Sequence, residues 1–153
     1  MVESYGMEWE YFIDEISRDF KEMTKVNFQE LYEEMEGIVE GCKKNGCKTT
    51  IDEIIAWNFY CSIPYWYSMK SDSRVGKEGG SRDRCSAFMA VGDWTENGKI
   101  VCAHNSFCDF VDGQFSNIIL DLNPEKGHSF IMQTSPCWIW SGTDFFVTSK
   151  GII

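Results

Sequence analysis

Residues 70–94 read KSDSRVGKEGGSRDRCSAFMAVGDW, and the chain changes character in the middle of this stretch. Residues 70–84 combine Gly, Ser and charges of both signs with few apolar side chains, which is the composition of a mobile, solvated loop. From Cys85 onward most residues are apolar, as they are in a buried β-strand. The stretch therefore predicts a linker over 70–84 that separates a helical region from a β region.

The residues before the linker have the periodicity of amphipathic helices. Between residues 8 and 44, apolar side chains recur at helical spacing with acidic side chains between them. Asn27 followed by Glu30 resembles a capping pair, which predicts that one helix ends and a second begins there. Asn45-Gly46 supplies a stop for the second helix. We therefore expect two helices over most of residues 8–44.

A third helix is predicted over residues 51–61. Thr50 and Glu53 have the T-x-x-E spacing of a capping box in front of it. Pro64 should end this helix, because the residue before a proline disfavours helical backbone angles. Three helices thus fill the region before the linker.

The residues after the linker predict β-hairpins. The first hairpin joins strands that start near Cys85 and Ile100, with an Asn-Gly turn signal between them. The second joins strands that start near Asn117 and Ser129. Together with the helices, these hairpins predict an α+β fold class.

A third strand pair is expected at the end of the chain, with DFFVTS at residues 144–149 and GII at residues 151–153. A strand that stops at Ile153 would leave an apolar sheet edge unpaired, which proteins usually avoid. We therefore expect the chain to be the N-terminal part of a longer protein. A short final edge strand is the alternative.

Composition limits the functions open to the chain. Its 153 residues carry 14 Lys and Arg against 24 Asp and Glu, so the net charge is -10 and a nucleic-acid-binding surface is disfavoured. The stretch 54–69, which has no charged residue, is shorter than the about 20 apolar residues of a membrane span. We therefore expect no nucleic-acid partner and no transmembrane segment.

Seven cysteines, an odd number without regular spacing, do not predict a disulfide framework. A reducing compartment is the simpler inference. The first residues lack the basic start and apolar run of a signal peptide, so a cytoplasmic location is favoured. Cys42 and Cys61 lie in predicted helices, where we expect them to be small core residues.

No metal or cofactor site is predicted. Cys102, His104 and Cys108 form a compact group, but a structural zinc site needs four ligands and no second pair is present. Gly76, Gly79 and Gly80 lie in the charged linker without a preceding strand, so they are no phosphate-binding loop.

Cys85 has an unusual position, because it opens the first strand directly after the linker. One cut before it would give it a free α-amino group, whose reference pKa of about 7.7–8.0 suits a general base. The nucleophile and its base would then be a single residue. The alternative is that Cys85 is simply a core cysteine at the start of a buried strand.

Five segments of the chain resemble the N-terminal-nucleophile hydrolases of the autoproteolytic acyltransferase and phospholipase B-like group. The resemblance covers most of residues 28–153, and the segments keep the same order in both halves of the chain. They are LYEEMEGIVEGCKKNG, TTIDEIIAWN, RDRCSAFMA, KIVCAHNSFCDF and MQTSPCWIWSGTDFFVTSKGI.

The resemblance implies a four-layer αββα sandwich, of which this chain is the N-terminal part. Residues 1–84 would be a helical propeptide or α-chain with the linker 70–84, and residues 85–153 would start the catalytic sandwich. Cys85 matches the family's nucleophile, so the resemblance places self-cleavage at the Arg84–Cys85 bond.

The resemblance also implies a small-molecule substrate with an amide or ester acyl group, and no cofactor. His104, Asn105 and Asp109 match positions beside the nucleophile and are possible site-lining residues. His104 could equally be a hydrogen-bonded core histidine, and Asp109 could cap a turn. A non-catalytic relative, truncated or unprocessed and acting as a binding or structural module, is the second hypothesis.

The linker prediction can be tested by limited proteolysis. Trypsin should cut first between Lys70 and Arg84, because that segment has too little apolar area to offset the entropy of ordering it. Mass spectrometry of the early fragments identifies the bond. First cuts within residues 8–44 would contradict the predicted organisation.

Overall fold

A computed structural model describes residues 2–70, 85–107, 110–115, 117–142 and 145–153. The protein is a mixed α and β structure with small antiparallel sheets, as the α+β prediction requires. Most of the predicted linker, Arg84 and Asp109 lie outside the described residues. Among the described residues, no helix has both the length and the apolar character to cross a membrane.

The predicted helices before the linker are confirmed. They are α1 (Trp9–Asn27), α2 (Gln29–Lys44) and α3 (Ile51–Asn58), preceded by a short 3-10 helix, Val2–Tyr5. Helix α3 ends before Pro64, as predicted, but a 3-10 turn, Tyr60–Ser62, then leads into a further helix that was not predicted, α4 (Ile63–Lys70). Proline is tolerated in the first turn of a helix, where its missing N–H has no partner to lose, so Pro64 fits as the second residue of α4.

Of the two helix caps predicted from the sequence, the structure contains one. The Thr50–Glu53 capping box of α3 is present in both directions. The Asn27–Glu30 cap is wrong, because Asn27 is still helical and its Nδ2 donates to the carbonyl of Met23, 2.9 Å away. Phe28 breaks the helix instead, with φ -135° and ψ 52°.

Two compact units divide the chain. The first contains the described residues up to 70 together with Cys137–Trp140, and the second contains 85–136 and 141–153. In the first unit, α1, α3 and α4 supply the fully buried side chains Phe12, Ile16, Ile55 and Ile63. Burying each such side chain stabilises the fold by about 1.5–3 kcal/mol. The expected core position of Cys61 is wrong, since Cys61 is exposed, and Cys42 is half-buried.

Segment 137–140 is held in the first unit by Asn58, the last residue of α3. The Asn58 Nδ2 donates to the carbonyls of Ile54 and Cys137, and its Oδ1 accepts from the N–H of Ile139, all at 2.9 Å. Trp138 is buried and its ring lies 5.6 Å from that of Trp57. Trp138 therefore packs against α3.

The second unit contains two separate sheets. Strands β1 (Ser86–Gly92) and β2 (Gly98–Asn105) form one antiparallel pair. Strands β3 (Ile118–Leu122), β4 (Phe130–Thr134) and β5 (Phe146–Thr148) form the other sheet, with β4 in the middle. Both predicted hairpins are confirmed. The short helix α5 (Phe110–Gly113) lies between the two sheets in the sequence.

The expected third hairpin is wrong. Strand β5 pairs with β4 in the register Phe130↔Thr148, and residues 151–153 form no strand. Gly151 has φ 77°, and the Thr148 N–H bonds the carbonyl of Ile152 at 2.9 Å, so the chain turns after β5.

Asn58→Ala should lower the free energy of unfolding by about 2 kcal/mol, because it leaves the backbone groups of Cys137 and Ile139 without their partner. Urea unfolding measures the change. Asn27→Ala is the matched control, since its side chain bonds only within its own helix, and it should change stability by less than about 0.5 kcal/mol. Equal effects of the two substitutions would contradict the role given to Asn58.

Candidate active site

The Cys85 thiol lies at the entrance to β1, one residue before the strand begins. Cys85 is exposed, and its Sγ accepts a hydrogen bond from the backbone N–H of Phe107, with 3.4 Å between nitrogen and sulfur. This contact holds the sulfur beside the residues that follow β2. Solvent access and a positioned donor are therefore both present at this sulfur.

The β1–β2 register brings Phe107 to Cys85. Ser86 is paired with Asn105, and the two strands run antiparallel from that pair towards the turn. The residues that follow β2 consequently pass beside the residue that precedes β1. Phe107 reaches the thiol with its backbone, so any residue except proline could supply the same donor.

His104 is the nearest titratable side chain on the second strand. It pairs with Ala87, and paired residues share a face of the sheet. Because side chains alternate along a strand, Cys85 projects on the same side as Ala87 and His104. The His104 ring is half-buried, and its Nδ1 lies 3.3 Å from the Oγ of Ser106.

The other expected site-lining residues are placed differently. Asn105 pairs with Ser86 and is exposed on the opposite face of the hairpin from His104. Asp109 and the cleavage-site residue Arg84 lie outside the described residues. Of the three expected lining residues, the hairpin therefore puts His104 on the face of Cys85.

Two contributors to this site were not found from the sequence. They are the Phe107 N–H and the Ser106 hydroxyl. A two-residue turn at Asn97-Gly98 would pair the residues of β1 and β2 differently from the observed structure. The observed pairing has an irregularity between Ala90 and Gly92, where the register shifts. No pattern in the sequence identifies that irregularity, because it depends on how the turn closes.

The turn itself shows why the register shifts. The Thr95 Oγ1 bonds the carbonyls of Gly92 and Lys99 at 3.2 and 2.5 Å, which closes a loop longer than two residues. Asn97 has φ 61° and Gly98 has φ 67°, so both adopt the left-handed backbone that the Asn-Gly signal predicts. The turn signal located the hairpin correctly but did not determine which residues pair.

The first unit contains a different polar site. A cavity of about 440 Å³ there is lined by Glu10, Asp14, Ser17, Arg18, Asp52 and Glu53, among others. The Ser17 hydroxyl donates to Asp52, and the Lys21 Nζ lies 2.9 Å from the Asp52 Oδ1. These contacts link α1 to α3, and we interpret them as structural because each group is bound to a partner from the neighbouring helix.

Metal ligands do not gather in the described part of the chain. Among residues 2–70, 85–107, 110–115, 117–142 and 145–153, no three His, Cys, Asp or Glu side chains are placed to hold a metal ion. Cys102 and His104 lie two residues apart on β2, and Cys108 is outside the described residues.

Comparisons with protein-family models, with curated proteins and with solved structures gave no match. The resemblance to N-terminal-nucleophile hydrolases therefore rests on the sequence segments alone.

The contacts of Asp52 predict a pH dependence of stability. Burial raises the pKa of Asp52, but the hydrogen bonds from Ser17 and Lys21 and the Lys21 charge outweigh it and lower the pKa below 3.8. Because the pKa of Asp52 is lower in the folded protein than in the unfolded chain, the ionised carboxyl stabilises the fold above the unfolded pKa of about 3.9. This stabilisation is lost as the pH falls below about 4. Asp52→Asn should therefore reduce stability at pH 7 and flatten its decline in that acid range.

Urea unfolding from pH 3 to pH 7 measures this effect. Glu40→Gln is the matched control, because Glu40 lies 3.9 Å from Lys44 with both side chains largely exposed, where an ion pair contributes little. If Asp52→Asn and the parent protein lose stability in parallel on acidification, the account of Asp52 is wrong.

Proposed function

We propose that this protein is a cysteine N-terminal-nucleophile hydrolase or acyltransferase, which acts on amide or ester acyl substrates after self-cleavage before Cys85. The observation that carries the proposal is the exposed Cys85 thiol with the Phe107 N–H directed at its sulfur. The same proposal includes the four-layer αββα sandwich, to which the helices and antiparallel hairpins would contribute.

Cleavage of the Arg84–Cys85 bond creates the catalytic base. An amide nitrogen is too weakly basic to take a proton from the thiol, whereas a free α-amino group near its reference pKa of about 7.7–8.0 can do so at neutral pH. In the proposed processing step, the Cys85 sulfur attacks the carbonyl of Arg84. A thioester forms as the amine is released, and water then hydrolyses the thioester.

The substrate reaction repeats this chemistry on another carbonyl. The Cys85 α-amino group accepts the thiol proton, and the thiolate attacks the acyl carbon to give a tetrahedral oxyanion. The oxyanion requires donors of the N–H type, which are worth about 2.7–4 kcal/mol each in transition-state stabilisation. When this tetrahedral intermediate collapses, the amine or alcohol leaves with the proton from the α-amino group, and the acyl group stays on the Cys85 sulfur. Water or an acceptor amine then removes the acyl group.

His104 would serve as a positioning or substrate-binding residue in this scheme. It shares the face of Cys85 on the hairpin, and its bond to the Ser106 hydroxyl fixes the ring orientation. The base is already supplied by the α-amino group, so His104 is left to contact the acyl group or the departing group. Its loss should raise KM more than it lowers kcat.

A binding module without catalysis is the second candidate function. Strands β1 and β2 expose large apolar side chains on both faces, with Phe88 60%, Met89 63% and Ile100 56% exposed. Exposed apolar patches mark interaction surfaces in soluble proteins, so this hairpin could bind a partner without any cleavage.

The experiment compares Cys85→Ala, Cys85→Ser and Cys61→Ala in the hydrolysis of acyl p-nitroanilides and acyl p-nitrophenyl esters. Cys85→Ala should lower kcat on the order of a thousandfold or more, because it removes the attacking sulfur. Cys85→Ser keeps a weak nucleophile and should retain slow processing with little turnover. Cys61→Ala, an exposed thiol in the first unit, is the control and should keep the parent rate.

Circular dichroism of all three variants establishes that they are folded. A folded Cys85→Ala protein that hydrolyses both substrates at the parent rate would overturn the enzyme assignment. If the parent protein itself stays uncut and inactive while the exposed hairpin captures a partner, the binding-module function is favoured instead.

A further inference from the structure

Four aromatic rings of the first unit form a continuous row. Trp140 stacks on Trp138, with ring centroids 4.4 Å apart and an angle of 13° between the ring planes. The Trp138 ring lies 5.6 Å from that of Trp57, and the Trp57 ring lies 5.1 Å from that of Tyr60. These are the separations of aromatic rings in direct contact. The row therefore runs without a gap from segment 137–140 to the 3-10 turn after α3.

Asn58 determines the position of the middle of this row. Its side chain bonds the Cys137 carbonyl and the Ile139 N–H, which lie on either side of Trp138 in the sequence. Asn58 also follows Trp57 directly. The contact that binds the distant segment to α3 consequently places the Trp138 ring beside the Trp57 ring.

The order of the side chains along the row gives it a direction. Indole and phenol rings lose one electron more readily than a benzene ring does, and electron transfer between two rings is fastest when they are in contact. A tyrosine that loses an electron also releases its hydroxyl proton, which makes the phenoxyl radical the more stable product at neutral pH. An electron vacancy on the tryptophans of this row therefore moves towards Tyr60.

The surroundings of Trp138 favour onward transfer. Trp138 is 8% exposed, and its buried Nε1 has no hydrogen-bond partner among the residues that the structure describes. An oxidised indole becomes a neutral radical by giving its Nε1 proton to an acceptor, and none of the described residues is placed to take it. The oxidised Trp138 ring thus remains a strong oxidant and takes an electron from the next ring.

We propose that this row is an electron-transfer path, along which a one-electron oxidation of the tryptophans ends as a radical on Tyr60. A small inorganic radical is an oxidant of the required class, and the azide radical is the probe. It takes one electron from Trp140 and becomes the azide anion. Trp138 then reduces Trp140, and Trp57 reduces Trp138. Tyr60, which is half-buried, finally reduces Trp57 and releases its hydroxyl proton to water. One azide radical is reduced, one tyrosine is oxidised and one proton is released.

Trp9 forms a side branch of the same path. Its ring lies 6.4 Å from that of Trp57, and its other ring neighbour among the described residues is Phe12, which these oxidants do not oxidise. A vacancy on Trp9 therefore also reaches Tyr60 through Trp57. The acyl chemistry proposed above uses none of these rings, so this activity is independent of the proposed function.

Pulse radiolysis of the full chain tests the path. Azide radicals are generated in a Trp94→Phe background, because Trp94 is 89% exposed and would otherwise consume them. The separate absorption bands of the indolyl and phenoxyl radicals are followed with time. We expect the indolyl band to decay as the phenoxyl band rises, at a rate independent of protein concentration, because the transfer occurs within one chain.

Variants of the row locate the path. Tyr60→Phe and Trp57→Phe should each remove most of the phenoxyl rise, because one lacks the final donor and the other lacks the ring that both branches share. Trp138→Phe should remove only the part that starts at Trp140. Tyr11→Phe is the matched control, since this tyrosine is 51% exposed and lies outside the row, and it should keep the rise.

A phenoxyl rise of unchanged size in Tyr60→Phe would overturn the proposal. So would a rate that increases in proportion to protein concentration, because the electron would then pass between molecules. A parent protein that forms no phenoxyl radical would overturn it as well. Circular dichroism establishes that each variant is folded. Tyr60→Phe removes only a hydroxyl group, so it keeps the test decisive if a tryptophan variant fails to fold.

Discussion

The hydrogen bonds of Asn58 are the constraint on which the first unit depends. Through them the end of α3 binds a segment that follows it by about eighty residues, and Trp138 in this segment is buried. A part-buried amide with three bonds of 2.9 Å is costly to replace, since an apolar side chain would leave backbone groups of Cys137 and Ile139 unsatisfied.

The Cys85 site depends on a different and more local constraint, the pairing of β1 with β2. The register determines which backbone N–H reaches the sulfur and which side chains share its face, so the chemistry of the site follows from the turn that joins the strands. For this reason His104 and Phe107 lie near Cys85, whereas Asn105 lies on the opposite face of the hairpin. The site is exposed, and catalysis as proposed further requires the α-amino group that a cut before Cys85 would create.

Sequence reasoning found the elements that depend on local pattern and missed those that depend on distant contacts. The period of apolar residues located α1, α2 and α3, and the Thr50–Glu53 spacing located a real capping box. Helix α4 was missed because proline signals both the end and the first turn of a helix, and Pro64 was taken only as an end. The pairing of β5 with β4, the burial state of Cys61 and the partner of Asn58 depend on tertiary packing, which no short window of residues contains.

Cleavage before Cys85 tests the central claim most directly, because the proposed base exists only after it. The chain is expressed in full, purified under reducing conditions, incubated at neutral pH and followed by intact-mass spectrometry. The account predicts that the 17.7 kDa chain gives way to two products, one of which begins at Cys85, and that Cys85→Ala prevents this conversion. A parent chain that hydrolyses acyl substrates while its full mass of 17.7 kDa persists would contradict it.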